Sequence, residues 1–335
     1  MARTRAEPKP PWRAVPPGVR AEVHRALGSP VVRGTRTWGG FAPTPTYRLR
    51  LADGRRAFFK GIYRESNDFS RGALQREARV YGELSGILGP WAPRFYAGFR
   101  HEDWHVLLLE DVGLQTVPPW APAAARGIAR AYATFHAATL GADLPAWLPQ
   151  PQRRLGHITW DRVVEESDDL QAVAALAGDQ SETALIWLRA ALPLLARLTA
   201  VAPDLPGPYA LLHGDTRSDN LRYRGGHLVL FDWPFAQVGR PEHDLAAFAQ
   251  SVATEGGPDP DQVAAWYGER FPVRPEALDS AIAWMAAFFA DLAWRPDIPG
   301  LPRLRPFQRR QLGVVLAWAS RRLRLPDPTW VSALR

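Results

Sequence analysis

Asp215, Asn220 and Asp232 are the residues whose types and spacing carry chemistry in this chain. Phosphoryl transfer needs such a set. One carboxylate receives the proton of an acceptor hydroxyl, while an amide oxygen and a second carboxylate hold Mg²⁺ against nucleotide phosphates. The first two lie in His213-Gly214-Asp215-Thr216-Arg217-Ser218-Asp219-Asn220, the third in Phe231-Asp232-Trp233. Asp-x-x-x-x-Asn alone says little, because both residues are common in turns. The flanks add to it. Tyr209-Ala-Leu-Leu212 reads as a short buried strand entering the loop. Leu221 to Arg224, a Gly225-Gly226 turn and His227 to Phe231 read as a hairpin that ends at Asp232.

That order and spacing match the H-R-D-x-x-x-x-N loop and later D-F-G of protein kinases, with Gly214 for Arg and Trp233-Pro234 for Phe-Gly. Such a site also needs a lysine on an upstream strand and a glutamate on the helix that follows. Of the 41 Lys and Arg residues only Lys9 and Lys60 are lysines. Lys9 stands in the Pro-rich run Glu7 to Trp12. Lys60 ends Arg56-Ala-Phe-Phe-Lys60, a predicted strand after the turn Ala52-Asp-Gly-Arg55. A lone lysine there, in a chain that otherwise uses arginine, points to a required compact ammonium rather than a planar fork.

Upstream, Val31 to Phe41 and Tyr47 to Leu51 read as strands joined by a glycine turn. Gly39 and Gly40 would let the backbone approach phosphates, although Gly-Gly in a hairpin is often only a turn. Phe69 to Ile87 carries Leu74, Ala78, Val80, Tyr81 and Leu84 at helical spacing. Glu77, one turn before Tyr81, is the candidate partner for Lys60; Glu83 competes and is placed on the solvent face. Arg94 to Arg100 and Trp104 to Glu110 form another hairpin, its second strand continuously apolar as a buried strand is. Glu110-Asp-Val-Gly113 stands where a hinge between two lobes would fall.

The chain resembles the aminoglycoside phosphotransferase and choline kinase superfamily of small-molecule kinases. The resemblance runs from about Val15 to the C-terminus. It rests on Gly39-Gly40, Lys60, Glu77, Leu109-Glu-Asp-Val112, the His-Gly-Asp loop at 213–220, Asp232 and Gly239-Arg-Pro-Glu-His-Asp-Leu-Ala246. It implies ATP and Mg²⁺ as cofactors and a small-molecule hydroxyl as acceptor. Asp215 would be the catalytic carboxylate, and Asn220 and Asp232 the metal ligands. Lys60 would grip the nucleotide phosphates, oriented by Glu77. The backbone around Glu110 and Val112 would bond the adenine, and Asp244 would clamp the catalytic loop. Two departures stand out. Pro234 follows the metal aspartate, which implies a rigid loop, and Pro43 and Pro45 reduce the amides the glycine loop can offer.

Composition sets bounds on this picture. With 335 residues and 46% hydrophobic content, one two-lobed unit or two small domains can form. The absence of cysteine excludes disulfides, thiol nucleophiles and thiolate metal sites. No segment has 18 uninterrupted apolar residues, and the N-terminus does not read as a secretory signal. The expectation is a cytoplasmic protein without membrane association, a monomer or homodimer. Residues 1–111 hold 19 basic and 11 acidic groups, net +8, against 22 and 23, net −1, for residues 112–335. The basic half suits a polyphosphate ligand. Nucleic acid is disfavoured, because the arginines are dispersed and no binding motif appears.

The fold class expected is α+β, a bilobal protein-kinase-like fold. Its parts are a disordered Pro-rich tail (1–17), a nucleotide-binding lobe (18–111) with an antiparallel sheet plus a helix, and a mainly helical lobe (112–335). Helices are expected near 121–140, 161–177, 182–201, 244–254, 259–270, 275–294 and 307–324. His136 reads as a core histidine. The nine acids among residues 240–294, with Trp266, Tyr267, Trp284, Phe288, Phe289 and Trp294, could line a pocket for a cationic amine; solvated helix faces and ordinary core are the competing readings. Two other functions stay open: a serine/threonine protein kinase, disfavoured by the short interval between Asp232 and Asp244, and an inactive nucleotide-binding scaffold.

Overall fold

The computed structural model describes residues 9–37, 44–63, 68–150, 160, 167–201, 205–298 and 301–334. Gly39 and Gly40 lie outside these. The chain forms two compact units, one of Met1–Thr116, Asp219–Phe235 and Pro299–Leu301, the other of Val117–Ser218, Ala236–Ile298 and Pro302–Arg335.

The first unit is built on a five-stranded antiparallel sheet of order β1-β2-β3-β5-β4. The strands are β1 (Val31–Arg36), β2 (Thr46–Leu51), β3 (Arg56–Ile62), β4 (Phe95–His101) and β5 (Trp104–Glu110). In β2, Tyr47, Leu49 and Leu51 are buried while Arg48 and Arg50 are not, the period of two that a half-buried strand requires. β5 buries Val106 to Leu109 in succession, as its apolar run predicts. Helix α1 (Pro17–Leu27) buries Val19, Val23 and Leu27 at four-residue spacing. Helix α2 (Asp68–Glu83) carries Glu77 and stops earlier than its periodicity predicts; Leu84 separates it from the single turn α3 (Ser85–Leu88). The hairpin β7 (Leu221–Arg224) and β8 (His227–Leu230) completes this unit.

The expected disordered tail needs correction over residues 9–17. Trp12 packs edge-on against Tyr47 and Phe59, with ring centroids 5.3 Å from each. A Cβ at Gly34 would overlap the Trp12 ring, so the strand needs glycine for this approach. Lys9 Nζ donates to Thr37 O and Thr46 Oγ1 (3.2 Å each), and Tyr47 OH donates to Pro10 O at 2.7 Å. Proline and charge hid a segment whose one tryptophan and one lysine anchor it. Trp12→Ala, or deletion through residue 14, is therefore expected to lower Tm by several degrees. Aromatic pairs are worth about 0.5–1.5 kcal/mol beyond burial. Differential scanning calorimetry checks this; an unchanged Tm would mean that the contact contributes nothing.

The second unit contains α4 (Pro122–Thr139), α5 (Ser167–Ala175), α6 (Ser181–Ala200), α7 (Pro241–Thr254), α8 (Pro260–Gly268), α9 (Pro275–Leu292) and α10 (Leu304–Leu323). The sequence places all seven within a few residues, except that residues 161–166 of the predicted 161–177 helix lie outside the described ones. Strand β6 (Ala210–Leu212) pairs antiparallel with β9 (Gln237–Gly239), too short a strand for alternation to reveal. Among the described residues one stretch, Gly178–Ala200, is long and apolar enough to cross a membrane by length and composition. In this fold it turns Ala184, Leu188, Ala191 and Leu195 into the core.

Candidate active site

In the first unit, sheet and helix bring three of the expected residues together. Lys60 Nζ on β3 lies 2.7 Å from Glu77 Oε2 on α2 and 2.7 Å from Asp232 Oδ1. Glu77 is 1% exposed, whereas the Asp232 side chain is 34% exposed. Glu83 instead pairs with Arg79 on the solvent face, at 2.7 Å. Burial alone would lower the Lys60 pKa, but the charges of Asp232 and Glu77 outweigh it and raise it. Burial pushes the Glu77 carboxyl up to about 7; Asp232 adds to the rise while Lys60 opposes it. Two carboxylates thus share one ammonium, one buried and one partly exposed.

Local structure fixes Asp232. Its φ is +67°, a left-handed conformation that non-glycine residues seldom adopt and that marks a constrained position. The next residue, Trp233, is fully buried and donates Nε1–H to Leu230 O at 2.9 Å. Pro234 O accepts from Arg76 on α2 at 3.3 Å. Asn220, 4% exposed, ends the single turn Ser218–Asn220. Its carbonyl accepts from Phe231 N–H at 3.0 Å, which ties the amide-bearing residue to the segment that leads into Asp232.

The second unit holds Asp215 on a loop clamped from below by Asp244. Asp244 accepts from the backbone N–H of His213 (2.6 Å) and Gly214 (2.9 Å), and Thr216 Oγ1 donates to its carbonyl at 3.1 Å. His136 on α4 lies 3.4 Å from Asp244 Oδ2 through Nε2 and 2.8 Å from Tyr267 OH through Nδ1. Burial disfavours the Asp244 carboxylate, but His136, the charge of His213 and the Gly214 amide hold its pKa below the usual carboxylate range. Such an acid contributes stability above its unfolded pKa of about 3.9 and loses it as pH falls through the lower folded value. Asp244→Asn is therefore expected to lower Tm at pH 7, each charge-assisted hydrogen bond being worth about 1.5–3 kcal/mol. The gap to wild type should close only below about pH 4. Thermal melts from pH 3 to 8 test this; a gap independent of pH would contradict it.

Some pairings lie beyond what local sequence shows. Arg48 grips Asp111 through two nitrogens, the shortest contact being 2.6 Å. Arg217 pairs with Asp215 at 3.2 Å. Of the nine acids in 240–294, eight are engaged: Glu242 with Arg274, Asp244 as above, Glu255 with Trp120 and Ser218, Asp259 with Arg321, Asp261 with Trp318, Glu269 with Arg126, Asp279 with Arg322 and Asp291 with Arg295. That stretch is ion-paired structure, which removes most of the charge from a cationic-amine pocket there. His136, read as a core histidine, is buried and also serves the Asp244 clamp.

The five-stranded sheet with its lysine–glutamate pair and the helical unit with its aspartate-clamped loop define a protein-kinase-like α+β fold. A profile described as the phosphotransferase enzyme family matches residues 34–276, and the chain belongs to that family. Comparison with curated protein sequences gives no match. Among solved structures, the chain is similar to spectinomycin phosphotransferase APH(9)-Ia, solved with ADP and spectinomycin. Identity is 13% and TM-score 0.58, over 90% of this chain and 98% of that one. Choline kinase LicA from Streptococcus pneumoniae follows at 16% identity and TM-score 0.56, over 89% and 97%. An aminoglycoside phosphotransferase from Alicyclobacillus acidocaldarius has 14% identity and TM-score 0.55, over 87% and 91%. At these identities the likeness concerns the fold.

Proposed function

We propose that this chain transfers the γ-phosphoryl group of ATP, with Mg²⁺, to a hydroxyl of a small molecule in the cytoplasm. The observation that carries this reading is the convergence of Glu77 and Asp232 on Lys60 at 2.7 Å. Lys60, held by buried Glu77, positions the nucleotide phosphates. Asp215 orients the acceptor hydroxyl and receives its proton, which leaves the oxygen free to attack the γ-phosphorus. The clamp by Asp244 keeps the Asp215 loop in place, so that positioning rather than covalent chemistry supplies most of the rate. Glu110 and Val112 bond adenine through their backbone, and Gly39 and Gly40, outside the described residues, cover the phosphates. The acceptor is a small hydroxyl compound such as an antibiotic, amino alcohol or sugar.

The donor set fits a hard cation. Asp232 offers a partly exposed carboxylate and Asn220 an amide; both present oxygen, as Mg²⁺ prefers. These two residues would hold the ion, which when bound neutralises charge on the phosphates. Asn220→Ala and Asp232→Asn are expected to raise the Mg²⁺ concentration needed for half-maximal turnover about tenfold or more, on the scale of losing one ligand. Magnesium titration of nucleotide binding and turnover tests this. An unchanged requirement in both variants would remove the assignment.

A protein kinase is the weaker reading. Strand β9 begins five residues after Asp232 and pairs directly with β6, which leaves no long segment to dock a peptide.

A further inference from the structure

An open cavity of about 860 Å³ lies within the first unit, and none of Lys60, Glu77, Asn220 or Asp232 lines it. Arg56 from β3, Arg94 just before β4, and Arg222 and Arg224 from β7 face it, with His227 from β8. Only two acids do, Glu110 and Asp111. Asp111 is already committed to Arg48 and to the Gly113 N–H at 3.0 Å. Glu110 accepts only from the Arg94 backbone N–H, at 3.2 Å. Among the described residues, the guanidinium groups of Arg56, Arg94 and Arg224 have no hydrogen-bond or ion-pair partner, and all three residues are exposed. Four cations, from β3, β7 and the residue before β4, therefore line one concavity with a single uncommitted carboxylate among the described residues.

We infer that this cavity binds a small phosphate-bearing anion, with Arg94 and Arg224 as its principal contacts. Arginine forks match phosphate oxygens in geometry, and uncompensated positive charge in a concave surface concentrates anions. The volume falls within the range of small-ligand pockets, roughly 300–1,000 Å³. Arg222 reports the local field. Burial first, then the charges of Arg48 and Arg224, push its pKa down to about 10, a strain that a bound anion relieves.

The cavity also touches the Glu110–Gly113 segment. Gly113 has φ +91°, and a Cβ there would come within 3.1 Å of Arg224 Nη2, so the guanidinium lies against its backbone. Arg222 Nε donates to Gly113 O at 3.1 Å. Anion binding thus bears on the segment proposed to bond adenine. That consequence rests on the function proposed above; the anion site itself does not.

Calorimetric titration of the full chain with inorganic pyrophosphate, after saturation with a non-hydrolysable ATP analogue, tests the site. The expected result is pyrophosphate binding that survives nucleotide saturation and weakens at least tenfold in Arg94→Ala/Arg224→Ala. That variant should keep the wild-type Tm without ligand, and the corresponding double lysine variant should retain part of the affinity. A parallel titration with orthophosphate under the same nucleotide saturation distinguishes a monophosphate from a diphosphate as the preferred source. Pyrophosphate binding lost on nucleotide saturation, or equal in wild type and the alanine variant, would overturn the inference. If the ATP analogue fails to bind, the proposed function falls. The pyrophosphate titration of nucleotide-free wild type against the alanine variant then still decides the cavity.

Discussion

Asp215→Ala is expected to cut phosphoryl transfer severely while leaving the fold and nucleotide binding intact. The carboxylate sits on a loop held by the Asp244 bonds to His213 and Gly214 and by backbone bonds of residue 215 that alanine retains. Its removal takes away the 3.2 Å ion pair with Arg217, whose side chain is partly exposed to solvent. Losing both the proton acceptor and its orienting effect on the hydroxyl costs about 10²–10⁴-fold in kcat. Calorimetric Kd for nucleotide should stay within about threefold, a change of less than 1 kcal/mol. A variant with near-wild-type kcat would show that another group takes the proton.

Lys60→Arg is expected to fail although it conserves charge. Arginine fills 39 of the 41 basic positions, so the chain's own bias favours it wherever a guanidinium suffices. At position 60 the Nζ atom meets two carboxylate oxygens, each at 2.7 Å, in an interior where Glu77 is 1% exposed. The longer planar fork cannot keep both contacts and still reach a phosphate. Displacement of about 1 Å in such a site costs about 10²-fold in rate. A raised KM for ATP and a lowered kcat are expected together. ATP kinetics within about twofold of wild type would reduce Lys60 to a structural ion-pair member.

What the sequence made legible follows from locality. Lys60 and Glu77 stand in segments whose alternation and helical period fix their element, Asp215, Asn220 and Asp232 are flagged by the spacing of a loop and a hairpin, and glutamate choice on α2 follows from which face carries Tyr81. Strands β1 to β5 announce themselves by turns and by runs such as Val106 to Leu109. The pairings that finish the site are long-range. Arg48 with Asp111 spans 63 positions and His136 with Asp244 spans 108, and no window of sequence contains both partners. The acids of 240–294 looked available because the arginines that hold them, such as Arg126, Arg321 and Arg322, lie in other helices. The N-terminal segment was hidden for another reason. Its order depends on one aromatic ring seated over Gly34, which composition averages away.

The glycine loop at Gly39-Gly40 belongs to the proposal alone, since it lies outside the described residues. The two ion pairs of Lys60, with Glu77 and with Asp232, join β3, α2 and the Asp232 segment of the same unit.

Following the γ-phosphate decides whether this chain phosphorylates a small molecule. Wild type and Asp215→Ala are incubated with γ-labelled ATP, Mg²⁺ and a panel of amino sugars, macrolides, nucleoside antibiotics, choline-like alcohols and sugars. Label is expected in a phosphomonoester of at least one small hydroxyl compound with wild type, and at least about a hundredfold less with the variant. Label that appears only on protein, or ATP consumed equally by both, would contradict it.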